Sequence, residues 1–195
     1  DEAAVSVGFD QAAAHFGSAP RSVVNCAGIG TAARIVGREG KLSIDLFERT
    51  IRVNLFGTYN VMSHAAKRMA GLEPLEDGER GVVVNTSSVA YQDGQLGQAA
   101  YAASKGAIAS MCLPAAREFA KLGIRVMSIA PGLFQTPMME GLPEEVAKGI
   151  VANIPFPARL GEPREYALLA EQIISNPFLN GTTIRLDGAV RLPPR

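Results

Sequence analysis

Short apolar runs alternate with longer amphipathic segments along the chain, a pattern that predicts strands and helices in turn. A continuous apolar run is typical of a strand that a parallel sheet buries on both faces. Val82–Val84, three valines in a row after the polar loop Glu73–Gly81, is the clearest case. The predicted strands are Ser22–Cys26, Val82–Val84, Arg125–Ala130 and Thr182–Leu186.

The segments between these runs carry apolar residues three and four positions apart, which is the spacing of a helix packed on one face. Ser43 is a candidate N-cap of the longest segment, and Gly17 ends an earlier Ala-rich helix. Pro163 is suited to the first position of the last helix. The predicted helices are Glu2–Phe16, Ile44 to about Gly71, Ala99 to about Leu122, a short one near Glu144–Asn153, and Pro163 to about Ser175.

Strands that alternate with helices through short loops predict right-handed βαβ units and an open parallel sheet. The predicted fold class is therefore α/β, a doubly wound, Rossmann-like parallel sheet in a single domain over residues 1–195. Such a sheet normally starts with a strand, a Gly-rich turn and a helix that hold the dinucleotide phosphates. Gly28–Gly30 follows a strand, but Gly28–Lys41 reads as a loop, so we expect the first strands to precede Asp1.

Composition narrows the class of protein further. Hydrophobic residues make up 47% and charged residues 19%, which fits a compact enzyme and not a disordered tail. Lys+Arg and Asp+Glu are both 19, so charge gives no reason to expect nucleic acid or an anionic membrane as a partner. No signal peptide or membrane span is recognisable. Cys26 and Cys112 lie in apolar runs without a second Cys or His at ligand spacing, which predicts reduced core residues, no metal site and a cytoplasmic protein.

Tyr101 and Lys105 lie four residues apart on a predicted helix, so their side chains are neighbours on one face. An ammonium beside a phenol favours the phenolate and is expected to lower the tyrosine pKa from its usual value of about 10. A tyrosine tuned in this way can take a proton from an alcohol while hydride leaves. A packed tyrosine beside a solvated lysine is the alternative for this pair alone.

Polar and small residues also follow the predicted strands, at the edge where open α/β sheets bind ligands. Ser88 can hydrogen-bond a reacting oxygen there; Ser87 is its rival, and a turn-forming role is the alternative. Asn54 lies in mid-helix, where asparagine is unfavourable, which indicates a buried side chain or a hydrogen bond to the backbone. Two turns of small residues also follow strands and could lie against a ligand. They are Asn25-Cys26-Ala27-Gly28, and Pro131-Gly132 followed by Phe134 and Thr136. The alternative for each is an ordinary reversal of the chain.

Taken together, these motifs occur in the order and spacing of the short-chain dehydrogenase/reductase family, and the chain resembles that family from about residue 22 to residue 188. Longer matches, among them Pro155–Gly161 and Asn176–Gly181, resemble the members that act on 3-hydroxyacyl-CoA. The family motifs are Asn-Cys-Ala-Gly, Val-Asn-Leu-Phe-Gly-Thr, Asn-Thr-Ser-Ser, Tyr-Ala-Ala-Ser-Lys and Ala-Pro-Gly.

The resemblance implies an NAD-dependent oxidoreductase that interconverts secondary alcohols and ketones, with 3-hydroxyacyl-CoA and 3-ketoacyl-CoA as the first choice of substrates. NADP is the alternative cofactor, and a hydroxysteroid or a 3-ketoacyl-ACP is the alternative substrate. A truncated chain that binds no cofactor and catalyses nothing is an alternative of another class. The resemblance also implies a homotetramer built on the two long helices.

Residue roles follow from the same resemblance. Tyr101 is the implied acid/base, and Lys105 holds both Tyr101 and the nicotinamide ribose. Ser88 positions the substrate oxygen, and Asn54 anchors a water in the proton relay. The segment from Gln135 to about Asn153 is predicted to be a substrate lid. Cofactor contacts are implied for Asn25, Cys26, Ala27, Gly28, Pro131, Gly132, Phe134 and Thr136.

Overall fold

The helices and strands follow the predicted alternation. In a computed structural model, residues 1–137, 149 and 151–194 are described. The helices in these residues include α1 (Glu2–Phe16), α2 (Ile44–Ile51), α3 (Gly57–Met69), α4 (Ala99–Phe119) and α5 (Pro163–Ser175). The strands are β1 (Ser22–Asn25), β2 (Gly81–Thr86), β3 (Ile124–Pro131) and β4 (Thr183–Leu186).

The strands form a parallel sheet in the order β1-β2-β3-β4. Asn25, the last residue of β1, lies opposite Asn85 of β2, and Thr86, the last residue of β2, lies opposite Ile129 of β3. The carboxyl ends of the strands therefore meet at one edge of the sheet, which we call the carboxyl edge. Ligands of open α/β sheets bind outside this edge.

Helices cover both faces of the sheet, and the valine run of β2 is buried between them. Val83 points to the face covered by α3 and α4, where it lies in one cluster with Met69. Val82 and Val84 point to the other face and share a cluster with Ile173 of α5. This three-layer arrangement confirms the predicted α/β class. Among the described residues, no helix combines the length and the apolar character that a membrane crossing requires.

The long helix predicted from Ile44 to about Gly71 is not regular. A π turn over Arg52–Phe56 joins α2 to α3, and such turns are frequent at functional sites. Ser43 does not cap α2 with its side chain, contrary to prediction. Its hydroxyl donates instead to the carbonyl of Arg34 at 3.0 Å, which fastens the preceding loop to the start of the helix.

The two cysteines differ in environment, and the prediction that both are core residues is wrong for Cys26. Cys112 of α4 is buried, its thiol donates to the carbonyl of Val126 at 3.5 Å, and burial raises its pKa to about 11. Cys26 is exposed because it directly follows the last residue of β1 at the carboxyl edge.

The predicted lid, Gln135 to about Asn153, lies largely outside the described residues, as does the predicted short helix near Glu144–Asn153. Residues 149 and 151 are helical. The lid therefore stays a prediction.

A buried arginine ties the sheet to the last helix. Arg125 of β3 makes a two-pronged contact with Glu79, both nitrogen–oxygen distances being 3.1 Å. Its remaining donors go to the carbonyls at the end of α5, Ile173 at 2.8 Å and Ile174 at 3.0 Å, and to Leu179 at 2.9 Å. The side chain is only 7% exposed, so the partners of the guanidinium are protein groups and not water.

Replacing Arg125 by methionine is therefore expected to destabilise the protein by about 3–5 kcal/mol, because a partly buried carboxylate and three carbonyls lose their partner. Urea unfolding followed by circular dichroism measures this free energy. Arg52→Met is the matched control, since Arg52 pairs with Glu48 on the surface and its loss should change little. Equal stability of the Arg125 and Arg52 variants would contradict the interpretation.

Candidate active site

Tyr101 and Lys105 both lie in the first half of α4, next to the carboxyl edge of the sheet. The Nζ of Lys105 lies over the Tyr101 ring, 5.8 Å from its centroid, and donates to the carbonyl of Thr86 at 2.8 Å. Lys105 is only 4% exposed, and this burial lowers its pKa to about 8, an effect that the Cys26 thiol partly opposes. The lysine thus retains its charge only up to mildly alkaline pH.

The predicted direction of the Tyr101 pKa is wrong in this structure. Burial raises the pKa of Tyr101, and a hydrogen bond from Ser88 only partly opposes it. The Lys105 ammonium lies over the ring and directs its hydrogen bond at Thr86, so its charge does not outweigh the burial of the phenol. Tyr101 is therefore a neutral phenol at neutral pH, the form that can donate a proton to a ketone.

Ser88, and not its rival Ser87, is the serine that faces Tyr101. Ser87 donates to the carbonyl of Lys105 at 2.7 Å and so fastens the end of β2 to α4. Ser88 accepts a hydrogen bond from the backbone of Ala90 at 3.2 Å, which caps the 3₁₀ turn that follows, and it also hydrogen-bonds Tyr101. The turn-forming interpretation of Ser88 is therefore correct, and its role towards a reacting oxygen stays a prediction.

Asn54 is fully buried within the π turn, as its mid-helix position indicated. Its Oδ1 accepts from the backbone N–H of Ile29 at 2.8 Å, and its Nδ2 donates to the carbonyl of Ile29 at 3.0 Å and to Ser104 Oγ at 3.1 Å. Ser104 donates in turn to the carbonyl of Tyr101 at 2.8 Å. Asn54 therefore joins the turn after β1 to the helix of Tyr101, and its role towards a water stays a prediction.

The turn after β1 approaches this network closely at Gly28. A Cβ at Gly28 would lie 3.2 Å from Asn54 Oδ1 and 3.5 Å from Lys105 Nζ, so glycine keeps the space beside both groups open. Cys26, Ala27 and Gly28 are all exposed at the carboxyl edge. This cradle, with a cationic Lys105 at its base, fits the ribose and flat ring of a nicotinamide cofactor.

Asn25 is placed differently from the three residues that follow it. Its Nδ2 donates to Asn85 Oδ1 across the β1–β2 pair at 2.8 Å, and Asn85 is fully buried. Asn25 therefore stabilises the ends of the two strands, and a direct cofactor contact by its side chain stays a prediction.

The loop after β3 folds back over a neighbouring segment. Pro131 is the last residue of β3, and Gly132 follows it at the carboxyl edge. The Phe134 ring lies against Gly161, where an added Cβ would lie 2.8 Å from the ring, and Thr136 donates to the Phe134 carbonyl at 3.5 Å. The cofactor contacts of this loop stay predictions.

The predicted catalytic residues, in contrast, lie together. The structure brings Ser88, Tyr101, Lys105 and Asn54 to the carboxyl edge of the sheet.

Comparison with known proteins identifies the family. A family model described as short chain dehydrogenase matches residues 1–147, well over half of the chain. The chain belongs to the short-chain dehydrogenase family. Within it, the 3-hydroxyacyl-CoA dehydrogenase type-2 of Homo sapiens is 53% identical over 173 residues, which are 88% of this chain and 66% of the relative. The protein of the same name from Drosophila melanogaster is 51% identical, with 88% and 68% covered.

The fold of this short-chain dehydrogenase is also that of a solved structure. The crystal structure of 3-hydroxyacyl-CoA dehydrogenase type-2 from Mycobacterium avium is similar with a TM-score of 0.94 and 44% identity. The similarity covers 100% of this chain and 76% of that one. The chain spans about two thirds of the length of the human and fly relatives.

The structure adds three residues to the site that were not among the predicted site residues: Ser104, Thr86 and Tyr166. Ser104, one residue before Lys105, was within reach of sequence reasoning, since it lies inside the Tyr-Ala-Ala-Ser-Lys motif. Thr86 contributes its main-chain carbonyl to Lys105. Because every residue has such a carbonyl, the residue type at this position does not indicate the contact. Tyr166 hydrogen-bonds Thr86 from α5, 80 residues further along the chain, and no local pattern marks it.

Proposed function

We propose that the protein is an NAD-dependent oxidoreductase that interconverts 3-hydroxyacyl-CoA and 3-ketoacyl-CoA. The observation that carries the proposal is the partly buried Tyr101 phenol, whose pKa is raised by burial and partly lowered by the Ser88 hydroxyl, with the Lys105 ammonium 5.8 Å from the centroid of its ring. The names of the human and fly relatives and of the Mycobacterium avium structure support the acyl-CoA substrate. NAD as the cofactor, in preference to NADP, rests on family resemblance.

In the proposed reaction each side chain has one task. Tyr101 donates its proton to the ketone oxygen in reduction and takes it back from the alcohol in oxidation. The Ser88 hydroxyl holds that oxygen in place, and Lys105 supplies positive charge at the buried end of the cradle. The bound nicotinamide supplies or accepts the hydride. Because burial raises the pKa of Tyr101, the structure favours proton donation at neutral pH, and oxidation of the alcohol should accelerate as pH rises.

A spectrophotometric assay of the complete protein tests this proposal. We expect oxidation of 3-hydroxybutyryl-CoA with NAD to give a kcat/KM well above that for a 17β-hydroxysteroid or for reduction of a 3-ketoacyl-ACP. Preference for either alternative would replace the proposed substrate, and a higher kcat/KM with NADP would replace the cofactor. Absence of activity with all three substrates and both cofactors would favour the non-catalytic alternative.

The proposed homotetramer has a surface that suits it. Apolar side chains are exposed along α2, the π turn and α3, among them Phe47, Phe56 and Tyr59. Leu113 is exposed on α4. Exposed apolar surface on two neighbouring helices is typical of an interface between subunits. Both helices are the ones that the family resemblance implied.

We expect the complete protein to have the mass of a tetramer in light scattering at micromolar concentration. Tyr59→Glu should lower that mass, because a carboxylate would be buried in the apolar contact. Phe16→Glu is the matched control, since Phe16 is equally apolar and exposed but lies at the end of α1. A monomeric wild type, or equal masses for the two variants, would contradict the proposed interface.

A cytoplasmic location is proposed on the state of the cysteines. Both are free, and Cys26 is exposed, as expected in a reducing compartment. Cell fractionation of the complete protein in its source organism tests this.

A further inference from the structure

A tyrosine outside the motif set reaches the end of β2 from the opposite face of the sheet. Tyr166 lies in the first turns of α5, and its ring packs with the cluster that contains Val84. Its hydroxyl lies 2.6 Å from Thr86 Oγ1, so the two hydroxyls are hydrogen-bonded. Burial raises the pKa of Tyr166, so it acts here as a neutral phenol.

Thr86 is thereby held from both faces of the sheet. Its side chain is bonded to Tyr166 from the α5 face, and its main-chain carbonyl accepts from Lys105 Nζ on the α4 face at 2.8 Å. Cys26 follows the residue of β1 that pairs with Asn85, so it lies beside Thr86 at the carboxyl edge. The phenol therefore contacts the end of β2 directly, beside the turn that follows β1.

We propose that Tyr166 is a positioning residue for Lys105, acting through Thr86. The lysine depends on the Thr86 carbonyl, since this is its hydrogen-bond partner in a site where its ammonium is almost fully buried. Thr86 is the last residue of β2, and the peptide N–H that follows its carbonyl, that of Ser87, donates to the carbonyl of Ile129 at 2.8 Å, which fixes the main chain on the β3 side. The Tyr166 hydroxyl adds a second restraint through the Thr86 side chain. That this positioning serves catalysis rests on the proposed function; the positioning itself does not.

The consequence of losing the hydroxyl can be derived from the groups around Lys105. The titratable groups that face it are the Cys26 thiol from the end of β1 and the Tyr101 phenol from α4, while Asn54 on the π turn is neutral. In Tyr166→Phe the ring remains and continues to exclude water. The Thr86 carbonyl is less firmly held, its hydrogen bond to the ammonium weakens, and the charged form of Lys105 is disfavoured.

The experiment follows the titration of Lys105 in the complete protein without substrate or cofactor, by NMR of lysine labelled with ¹³C at Cε, the signal being assigned with Lys105→Met. In the wild type we expect a pKa of about 8. In Tyr166→Phe we expect it to fall by about 0.5 or more, and the KM for NAD to rise about threefold to tenfold with a smaller change in kcat, as for a lost hydrogen bond. Ser18→Ala, which removes a hydroxyl from an exposed residue after α1, should alter neither value.

Thr86→Val tests the other partner of the hydrogen bond and keeps the proposal falsifiable if Tyr166→Phe does not fold. It should lower the pKa of Lys105 by a similar amount, and the double variant should show little further change, since both single changes remove one interaction. A pKa of Lys105 that stays at the wild-type value or rises in these variants would overturn the proposal. A lowered pKa in a protein inactive on every substrate would leave the positioning intact and refute the proposed function alone.

Discussion

Tyr101→Phe is expected to lower turnover of 3-hydroxyacyl-CoA by about 10²–10⁴-fold, the range of a general acid–base group. The upper end is the better estimate, because the same hydroxyl is also proposed to bond the substrate oxygen on which charge develops. Phenylalanine keeps the volume of the ring under Lys105 but carries no proton. The dissociation constant of NAD should stay close to the wild-type value, since the proposed cofactor contacts lie on Lys105 and the Cys26 turn.

Two measurements check this expectation: steady-state turnover, and cofactor binding by fluorescence titration. Ser18→Ala serves as the control, because it removes a hydroxyl from an exposed residue after α1 and should leave turnover unchanged. If Tyr101→Phe retained more than about a tenth of wild-type turnover, far above what a lost general acid allows, Tyr101 would not be the proton carrier.

Lys105→Met is expected to impair both cofactor binding and turnover. Methionine fills the space of the lysine stem without its charge, so the change removes the ammonium and its bond to Thr86 more than it removes packing. In the wild type the charged form predominates below the pKa of about 8, so NAD affinity should fall as pH rises through that value. The variant should bind weakly, by about tenfold or more, and show no such pH dependence, since a charge-assisted hydrogen bond is lost.

The measurement is the dissociation constant of NAD between pH 6 and about 9.5, a span that brackets the Lys105 titration. Lys121→Met is the control, because Lys121 is an exposed lysine of the 3₁₀ turn after α4. Ser88→Ala should lower turnover but keep the pH dependence of binding, because Ser88 contacts Tyr101 and not the lysine. A wild-type NAD affinity that does not change between pH 7 and about 9 would show that the ammonium is not the group that holds the cofactor.

The sequence led to the site because its main members are set by local geometry. Tyr101 and Lys105 are four residues apart on a helix, so their proximity follows from the helical repeat. Ser88 follows a buried parallel strand, and strand ends in this fold class converge on one edge. Residue type and element type made these residues candidates, the family resemblance assigned their roles, and the structure places the Lys105 ammonium over the Tyr101 ring.

What the sequence did not reveal depends on distant contacts and on burial. The predicted fall in the Tyr101 pKa considered only the neighbouring charge, whereas the structure shows that the cost of burying a phenolate is larger. Tyr166 approaches Thr86 only after α5 packs on the sheet. Serine is a suitable residue for a helix N-cap, but the Ser43 hydroxyl donates to the Arg34 carbonyl and does not cap α2. The sequence alone does not show which of these two hydrogen bonds forms.

The π turn at Arg52–Phe56 sets how far α3 is rotated about the helix axis relative to α2. Each residue in a regular helix turns the chain by about 100°, so deleting one residue from this turn would restore regularity and rotate everything beyond it. Either Asn54 would swing away from Ile29, or the stripe of Met62, Ala66 and Met69 would leave the core. The site sets the orientation of the helix before the turn and the core sets it after the turn, so a change of length here would lose one of the two.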